Sequence, residues 1–276
     1  MSLTESTMFN NKVFVVTGGT QGLGAAVAQL LAKRGARGLV ICGRNTRAGQ
    51  QQVEALSRSG CEAIFVEADI SSPAACEKVV ATAESCFGTL HGLVNCAGMS
   101  DRGTILDTSP DLFDAIMAVN VRAPFFLMQA AIKLMIAKGV EGSIVNIITM
   151  TSHGGQSFLT AYAASKGALV TLTKNVAFSA MRNRIRVNGL NIGWMDTPHE
   201  DDIQRQYHQA EDGWLEKAEQ QQPFGRLLKP TEVARGVAFL LSEESGMMTG
   251  AVIDFDQSVV GCGDNGGFQP SHALTL

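Results

Sequence analysis

Lys12-Val13-Phe14-Val15-Val16-Thr17-Gly18-Gly19-Thr20-Gln21-Gly22-Leu23-Gly24 is the stretch that decides the fold. Its first six residues read as a buried strand, and the pattern after it reads as a helix over Gly22–Arg34 closed by Gly35. Between them lies a turn in which glycine permits tight curvature, close backbone approach to a pyrophosphate and close helix–strand packing. A helix N-terminus adds free N–H groups and a positive dipole end that suit phosphate. The spacing Gly18-x-x-x-Gly22-x-Gly24 differs from Gly-x-Gly-x-x-Gly, but its place between first strand and first helix marks a nucleotide site. Gly18, Thr20, Gln21, Gly22, Leu23 and Gly24 are the candidate contacts.

Outward from this loop, short apolar runs alternate with helical ones. Strands are expected at Leu39–Cys42, Ala63–Glu67, Gly92–Asn95, Ser143–Ile148, Arg186–Leu190 and Ala251–Phe255. Helices are expected over about 47–58, Pro73–Phe87, 110–138 with a break at Pro124, Thr160–Met181 and Pro230–Leu241. Largely apolar strands separated by helices indicate a parallel sheet covered on both faces, and their number favours a single doubly wound α/β domain spanning 1–276, Rossmann-type, with about seven strands. The polar, acidic stretch over about 194–229 interrupts the rhythm and reads as a lid insertion. The Gly-rich end, about 261–276, reads as a loose tail.

Composition narrows the classes. A chain of 276 residues, 45% hydrophobic, has enough apolar material for one substantial core. A net charge of −4 without a Lys/Arg run argues against a nucleic-acid surface. The six cysteines have no paired spacing, as expected for reduced thiols in a cytoplasmic protein, and the five histidines show no metal-ligand spacing. No signal peptide is recognised at the start, and no uncharged apolar stretch reads as a membrane span.

The end of the second strand discriminates the cofactor. An acid there would bind the ribose hydroxyls of NAD, whereas Cys42-Gly43-Arg44-Asn45 offers an arginine, which suits the 2′-phosphate of NADP; NAD stays possible. Asp69, closing the third strand, is placed to face the adenine with Ile70 beneath it. Further on, Tyr162-Ala163-Ala164-Ser165-Lys166 puts a phenol and an ammonium one helical turn apart on one face. A phenol has a pKa of about 10 in water, and a nearby cation favours its anion. The pair is therefore a candidate proton donor and acceptor for a carbonyl/alcohol couple, with Lys166 expected to lower the Tyr162 pKa.

In order and spacing these marks resemble the short-chain dehydrogenase/reductase family from about Lys12 to Gln257. They are the Thr17–Gly24 loop, Asn95-Cys96-Ala97-Gly98, Asn120, Tyr162 with Lys166, the Pro230 helix and Thr249-Gly250. The resemblance implies that Asn95, Ala97 and Gly98 support the cofactor cleft, and that Asn120 helps hold a water for a proton relay. It also implies that Lys166 binds the nicotinamide ribose, and that Thr197, after Gly193, contacts the carboxamide. Four positions depart from the pattern. Thr149 stands where the family has its active-site serine, with Thr151 or Ser152 as the alternative hydroxyl. Ile192-Gly193 replaces Pro-Gly, and Gln21 replaces an often basic residue. Asp256-Gln257-Ser258 replaces Asp-Gly-Gly, leaving Gln257 to substrate contacts or to packing.

The expected function is hydride transfer between a nicotinamide cofactor and a secondary alcohol or ketone, with Asn120, Thr149, Tyr162 and Lys166 as catalytic residues. Met99–Arg102, Met150–Ser152, Trp194–Met195 and the lid are expected to form the pocket. The lid carries His199, Glu200, Asp201, Asp202, Tyr207, His208 and Trp214, which read either as a solvated helix pair or as a pocket for a polyol or sugar-like alcohol. Steroid and acyl-thioester carbonyls are competing substrates. A nucleotide-binding regulatory protein on the same fold is the alternative of a different class. The resemblance also implies a homotetramer, built partly through the last strand and the Pro230 helix.

Overall fold

A computed structural model describes residues 7–262. The order of elements is β1 (Val13–Thr17), α1 (Gly22–Lys33), β2 (Gly38–Gly43), α2 (Thr46–Ser57), β3 (Glu62–Glu67), α3 (Pro73–Phe87) and β4 (Gly92–Asn95). Then come α4 (Pro110–Met117), α5 (Ala123–Ala137), β5 (Ser143–Thr149), α6 (Thr160–Ala180) and β6 (Arg186–Ile192). The lid helices α7 (Pro198–His208) and α8 (Trp214–Gln220) precede α9 (Pro230–Leu241) and β7 (Val252–Phe255). All strand pairs are parallel, in the order β3-β2-β1-β4-β5-β6-β7, so the chain reverses its winding between β1 and β4. In doubly wound sheets a crevice opens there, outside the carboxyl ends of the strands.

β1 shows why the runs are apolar throughout. Val13 and Val15 enter one core with Val79, Leu127 and Met135, while Phe14 and Val16 enter the other with Val27, Leu31 and Val237. Successive strand side chains face opposite ways, so a sheet covered on both faces needs apolar residues at every position. The expected strands are all present. β6 runs on to Ile192, which pairs with Thr149 and Phe255; an isoleucine has the N–H that proline would lack.

The long helix departs from expectation in two ways. It is not broken at Pro124. Instead Ala118–Arg122 forms a π turn one step earlier, in which the N–H of Ala123 donates to the carbonyl of Ala118. Pro124 has no N–H to offer Asn120, and the wider turn accommodates that loss while keeping Asn120 fully buried. In addition, the span Pro110–Ala137 is long and apolar enough to cross a membrane by length and composition, contrary to the sequence reading. Leu127, Met128, Ala131 and Met135 nevertheless pack into the core against the sheet, the arrangement of an interior helix. Most of the expected tail, from residue 263 on, lies outside the described residues.

Candidate functional site

Thr17 is the pin between the nucleotide loop and its neighbour. Its hydroxyl oxygen accepts the N–H groups of Cys96 at 3.0 Å and Ala97 at 3.1 Å. Gly18 follows in the left-handed region at φ 64°, and a Cβ there would stand 3.0 Å from the Ala97 Cα. A Cβ on Gly24 would collide with the Gly18 carbonyl, so α1 begins directly against the turn. The Gln21 side chain does not cap α1, and no acid occupies its first turn, which leaves the helix end facing the cleft. Across the cleft, the Thr197 methyl lies 3.8 Å from where a Cβ on Gly22 would be. The Gly18–Gly24 loop, Asn95–Gly98 and Gly193–Thr197 thus form three walls of a cradle that fits a pyrophosphate and nicotinamide.

Gly43 sits against Thr20, so the exposed Arg44 stands beside the loop. Asp69 accepts the Ser71 N–H at 3.0 Å; this contact, aided by Arg44, holds its carboxyl below the ordinary value. Leu23 and Ile70, expected as contacts, turn their side chains into the two cores, which leaves their backbone for the cleft. Asn95 is likewise structural: its Nδ2 donates to Asn146 Oδ1 at 2.8 Å, and Asn146 Nδ2 donates to Thr173 Oγ1 at 2.9 Å. Gly193 packs so tightly against Asp256 that no side chain would fit there.

Tyr162 and Lys166 project from α6 as their spacing requires. The Lys166 ammonium donates to the Ile147 carbonyl at 2.9 Å and lies 5.9 Å from the Tyr162 ring centroid. Burial pushes the Lys166 ammonium down to about 8. Burial also pushes the Tyr162 phenol up to about 12, opposed by the Thr149 hydroxyl and the Arg102 charge. The expected lowering of the phenol by Lys166 is therefore not found in this state: desolvation outweighs the favourable neighbours.

Asn120 ties two segments together. Its Oδ1 accepts the Met99 N–H at 2.9 Å, while its Nδ2 donates to the Met99 carbonyl at 2.8 Å and to Ser165 Oγ at 3.0 Å. The side chain clamps the loop after β4 onto α6. Thr149 is the hydroxyl that hydrogen-bonds the Tyr162 phenol. Thr151 donates its own hydroxyl to Thr149 Oγ1 at 3.3 Å, whereas Ser152 donates to Asn191 Oδ1 at 3.1 Å. Asn191 in turn donates to Asp254 at 2.8 Å, so Ser152 belongs to a tie between β5, β6 and β7.

Over this centre lies the lid, which is more than a solvated pair of helices. Tyr207 donates to Asp101 at 2.9 Å, the His208 ring meets Phe158, and the Trp194 and Trp214 rings stack with centroids 6.2 Å apart. Trp194 Nε1 donates to Glu200 at 2.8 Å and Trp214 Nε1 to Asp201 at 2.6 Å. His199 and Asp202 make no contact that bears on the centre. Gln257 is a packing residue: its amide nitrogen donates to the Arg226 carbonyl at 2.9 Å and its oxygen accepts the Phe224 N–H at 2.9 Å. Among the described residues no group of His, Cys, Asp and Glu could hold a metal. A cavity of about 860 Å³ opens at the opposite ends of the strands, lined by Lys12, His91, Arg184 and Arg186, and takes no part in the centre.

Asn146, Ser165 and Asn191 escaped the sequence reading. The signal existed: asparagine inside the apolar runs of β5 and β6 is a buried polar group that must find partners.

A family model described as enoyl-(acyl carrier protein) reductase matches residues 18–258. An NADP-dependent (R)-specific alcohol dehydrogenase of Lentilactobacillus kefiri is 33% identical over 243 residues, covering 87% of this chain and 93% of the relative. A solved structure titled short chain dehydrogenase/reductase family protein superposes with a TM-score of 0.78 at 33% identity, covering 91% of this chain and 97% of its own. A solved NAD+-bound xylitol dehydrogenase superposes with a TM-score of 0.82 at 28% identity, covering 89% and 98% respectively.

Proposed function

This chain belongs to the short-chain dehydrogenase/reductase family, and from that premise we propose that it interconverts a secondary alcohol and a ketone, using NADP in preference to NAD. The observation that carries the reading is the placement of Tyr162, with Thr149 and Lys166 about it, at the carboxyl ends of the strands beside the glycine cradle. The Gly18–Gly24 loop would hold a nicotinamide cofactor, which would supply the hydride chemistry when bound. Tyr162 exchanges the proton with the substrate oxygen, and Thr149 hydrogen-bonds that oxygen to hold the reacting carbon in line. Lys166, fixed by the Ile147 carbonyl, places positive charge under the phenol and within reach of a ribose. A phenol raised to about 12 is protonated at neutral pH, the form that donates to a carbonyl oxygen.

Arg44 beside Thr20 supports NADP through a charge-assisted contact with a 2′-phosphate, as does the NADP-dependent relative. The polar lid supports a hydroxylated, polyol or sugar-like substrate. The unpaired outer edge of β7 and the exposed Phe239 on α9 support a homotetramer. Six free cysteines, three of them buried, support the cytoplasm. The test is NADPH oxidation with ketones and NADP reduction with alcohols and polyols. Turnover supports the reading; tight nucleotide binding without turnover would make this a nucleotide-binding regulatory protein instead.

A further inference from the structure

Arg102 is a charged group of the pocket that the reaction does not use. It follows Met99–Asp101, and its neighbour Gly103 pairs with Leu159, three residues before Tyr162: the Gly103 N–H donates to the Phe158 carbonyl at 2.9 Å. The side chain is only 13% exposed. Its guanidinium lies 5.9 Å from the ring centroids of both Phe158 and Tyr207, held between a pocket wall and the lid. Nη1 donates to the Ser100 carbonyl at 2.7 Å. On the other edge, Nε is buried without a hydrogen-bond partner and Nη2 has only Glu200, 4.0 Å away.

Nε and Nη2 form the parallel pair of donors with which arginine grips a carboxylate at two points. A buried donor without a partner is costly, more so for a charged group, so an arginine kept in this condition beside a reaction centre is suited to an acceptor from outside. Glu200 is not that acceptor. Its carboxylate takes Trp194 Nε1 at 2.8 Å and Gln204 Nε2 at 2.7 Å, and it sits in the first turn of α7 where the helix dipole favours its charge. One oxygen of Asp101 accepts the Tyr207 hydroxyl. Neither acid hydrogen-bonds the Nε/Nη2 edge, which is left over. The Gly103–Leu159 pairing sets Arg102 beside the start of the helix that carries Tyr162.

We infer that Arg102 is the specificity-determining residue of this site, and that the physiological substrate is a hydroxy or oxo acid whose carboxylate docks on its Nε/Nη2 edge while the alcohol or ketone meets Tyr162. This rests on the alcohol/ketone reading above and narrows its substrate class from neutral polyols to acids. The carboxylate takes no part in bond changes; it fixes which carbon faces the hydride position.

Both tryptophans of the chain, Trp194 and Trp214, flank Glu200 and the lid, so their fluorescence reports occupancy without turnover. The NADP-loaded protein is titrated with 2-, 3- and 4-hydroxybutyrate and gluconate, each beside a neutral counterpart: the hydroxybutanamides and sorbitol. At least one acid is expected to bind and turn over about tenfold to a hundredfold better than its neutral partner, the span of one charge-assisted contact. Arg102→Gln is expected to abolish that preference and Arg102→Lys to retain part of it, with NADP affinity unchanged in both. Tyr207→Phe, which loosens the lid but leaves the guanidinium, is expected to keep it. Equal handling of acids and neutral partners by the parent protein, or an acid preference that survives Arg102→Gln, would overturn the inference while leaving the alcohol/ketone reading intact. An acid preference in binding without turnover of any compound would instead strike that reading alone.

Discussion

Lys166 does not aim its ammonium at the Tyr162 hydroxyl: it donates to the Ile147 carbonyl and lies under the ring, 5.9 Å from its centroid. The cation is thus anchored to β5, and the phenol is left to the balance between burial and the Thr149 hydroxyl. Burial wins in the structure as it stands, which sets the acid–base behaviour of the site.

The chain has two tyrosines, and burial raises both: Tyr162 to about 12 and Tyr207 above its ordinary value, the latter aided by Asp101. Absorbance titration of the nucleotide-free protein should show no phenolate step at the ordinary value of about 10. The folded Tyr162 pKa is higher than the unfolded one, so its stabilising contribution is complete below pH 10 and is lost as pH rises toward 12. Lys166 works the other way. Its folded value of about 8 is below the unfolded value, so its burial cost is full below pH 8 and fades as pH rises toward 10.5. A phenolate step near pH 10 in the folded protein would contradict this.

Thr149 and Ser152 separate cleanly in the structure, because Ser152 is bound to Asn191. Thr149→Ser should keep most activity, and Thr149→Val should lose about a hundredfold to a thousandfold in turnover. Ser152→Ala should remain within a few-fold of the parent and instead lower stability by about 1 kcal/mol through the loss of one hydrogen bond. Steady-state rates and thermal melts read both; an inactive Ser152→Ala beside an active Thr149→Val would reverse the assignment.

Arg44 predicts cofactor choice. NADP should bind more tightly than NAD, and Arg44→Ala should weaken NADP by about tenfold or more while leaving NAD nearly unchanged, because only NADP has the phosphate. Fluorescence titration of the two nucleotides decides it, with equal affinities as the contradicting result.

Light scattering should find a homotetramer, with a dimer as the lesser assembly consistent with β7 as an open edge. A monomer at micromolar concentration would remove the expectation.

Much of this was legible in the chain because several constraints coincided. β1 reads as a strand because each of Val13, Phe14, Val15 and Val16 must be apolar to fill one of two cores, and the glycine turn after it has little freedom to be anything else. Tyr162 and Lys166 were legible as a pair through their spacing, and Thr149 as a candidate through the resemblance to the family. The Asn120 clamp and the Lys166–Ile147 bond were not, since each depends on where two separate segments come to rest; the π turn before Pro124 is local, but its proline read simply as a break. The sign of the Tyr162 shift was missed for the same reason: sequence shows the neighbouring cation but not the burial that outweighs it. Arg102 was visible only as one residue of a pocket-lining run, because an unpaired guanidinium edge is a property of packing.

The measurement that bears most directly on the account is the Tyr162→Phe variant, taken through steady-state turnover and NADP titration on the same sample. The ring keeps its packing over Lys166, and only the proton-exchanging oxygen is removed. Turnover should fall by at least about a thousandfold, the upper end for losing one group at the reacting oxygen, with NADP affinity within a few-fold of the parent. Activity near that of the parent, with NADP still bound, would show that another group moves the proton and that Tyr162 is not the centre of the site.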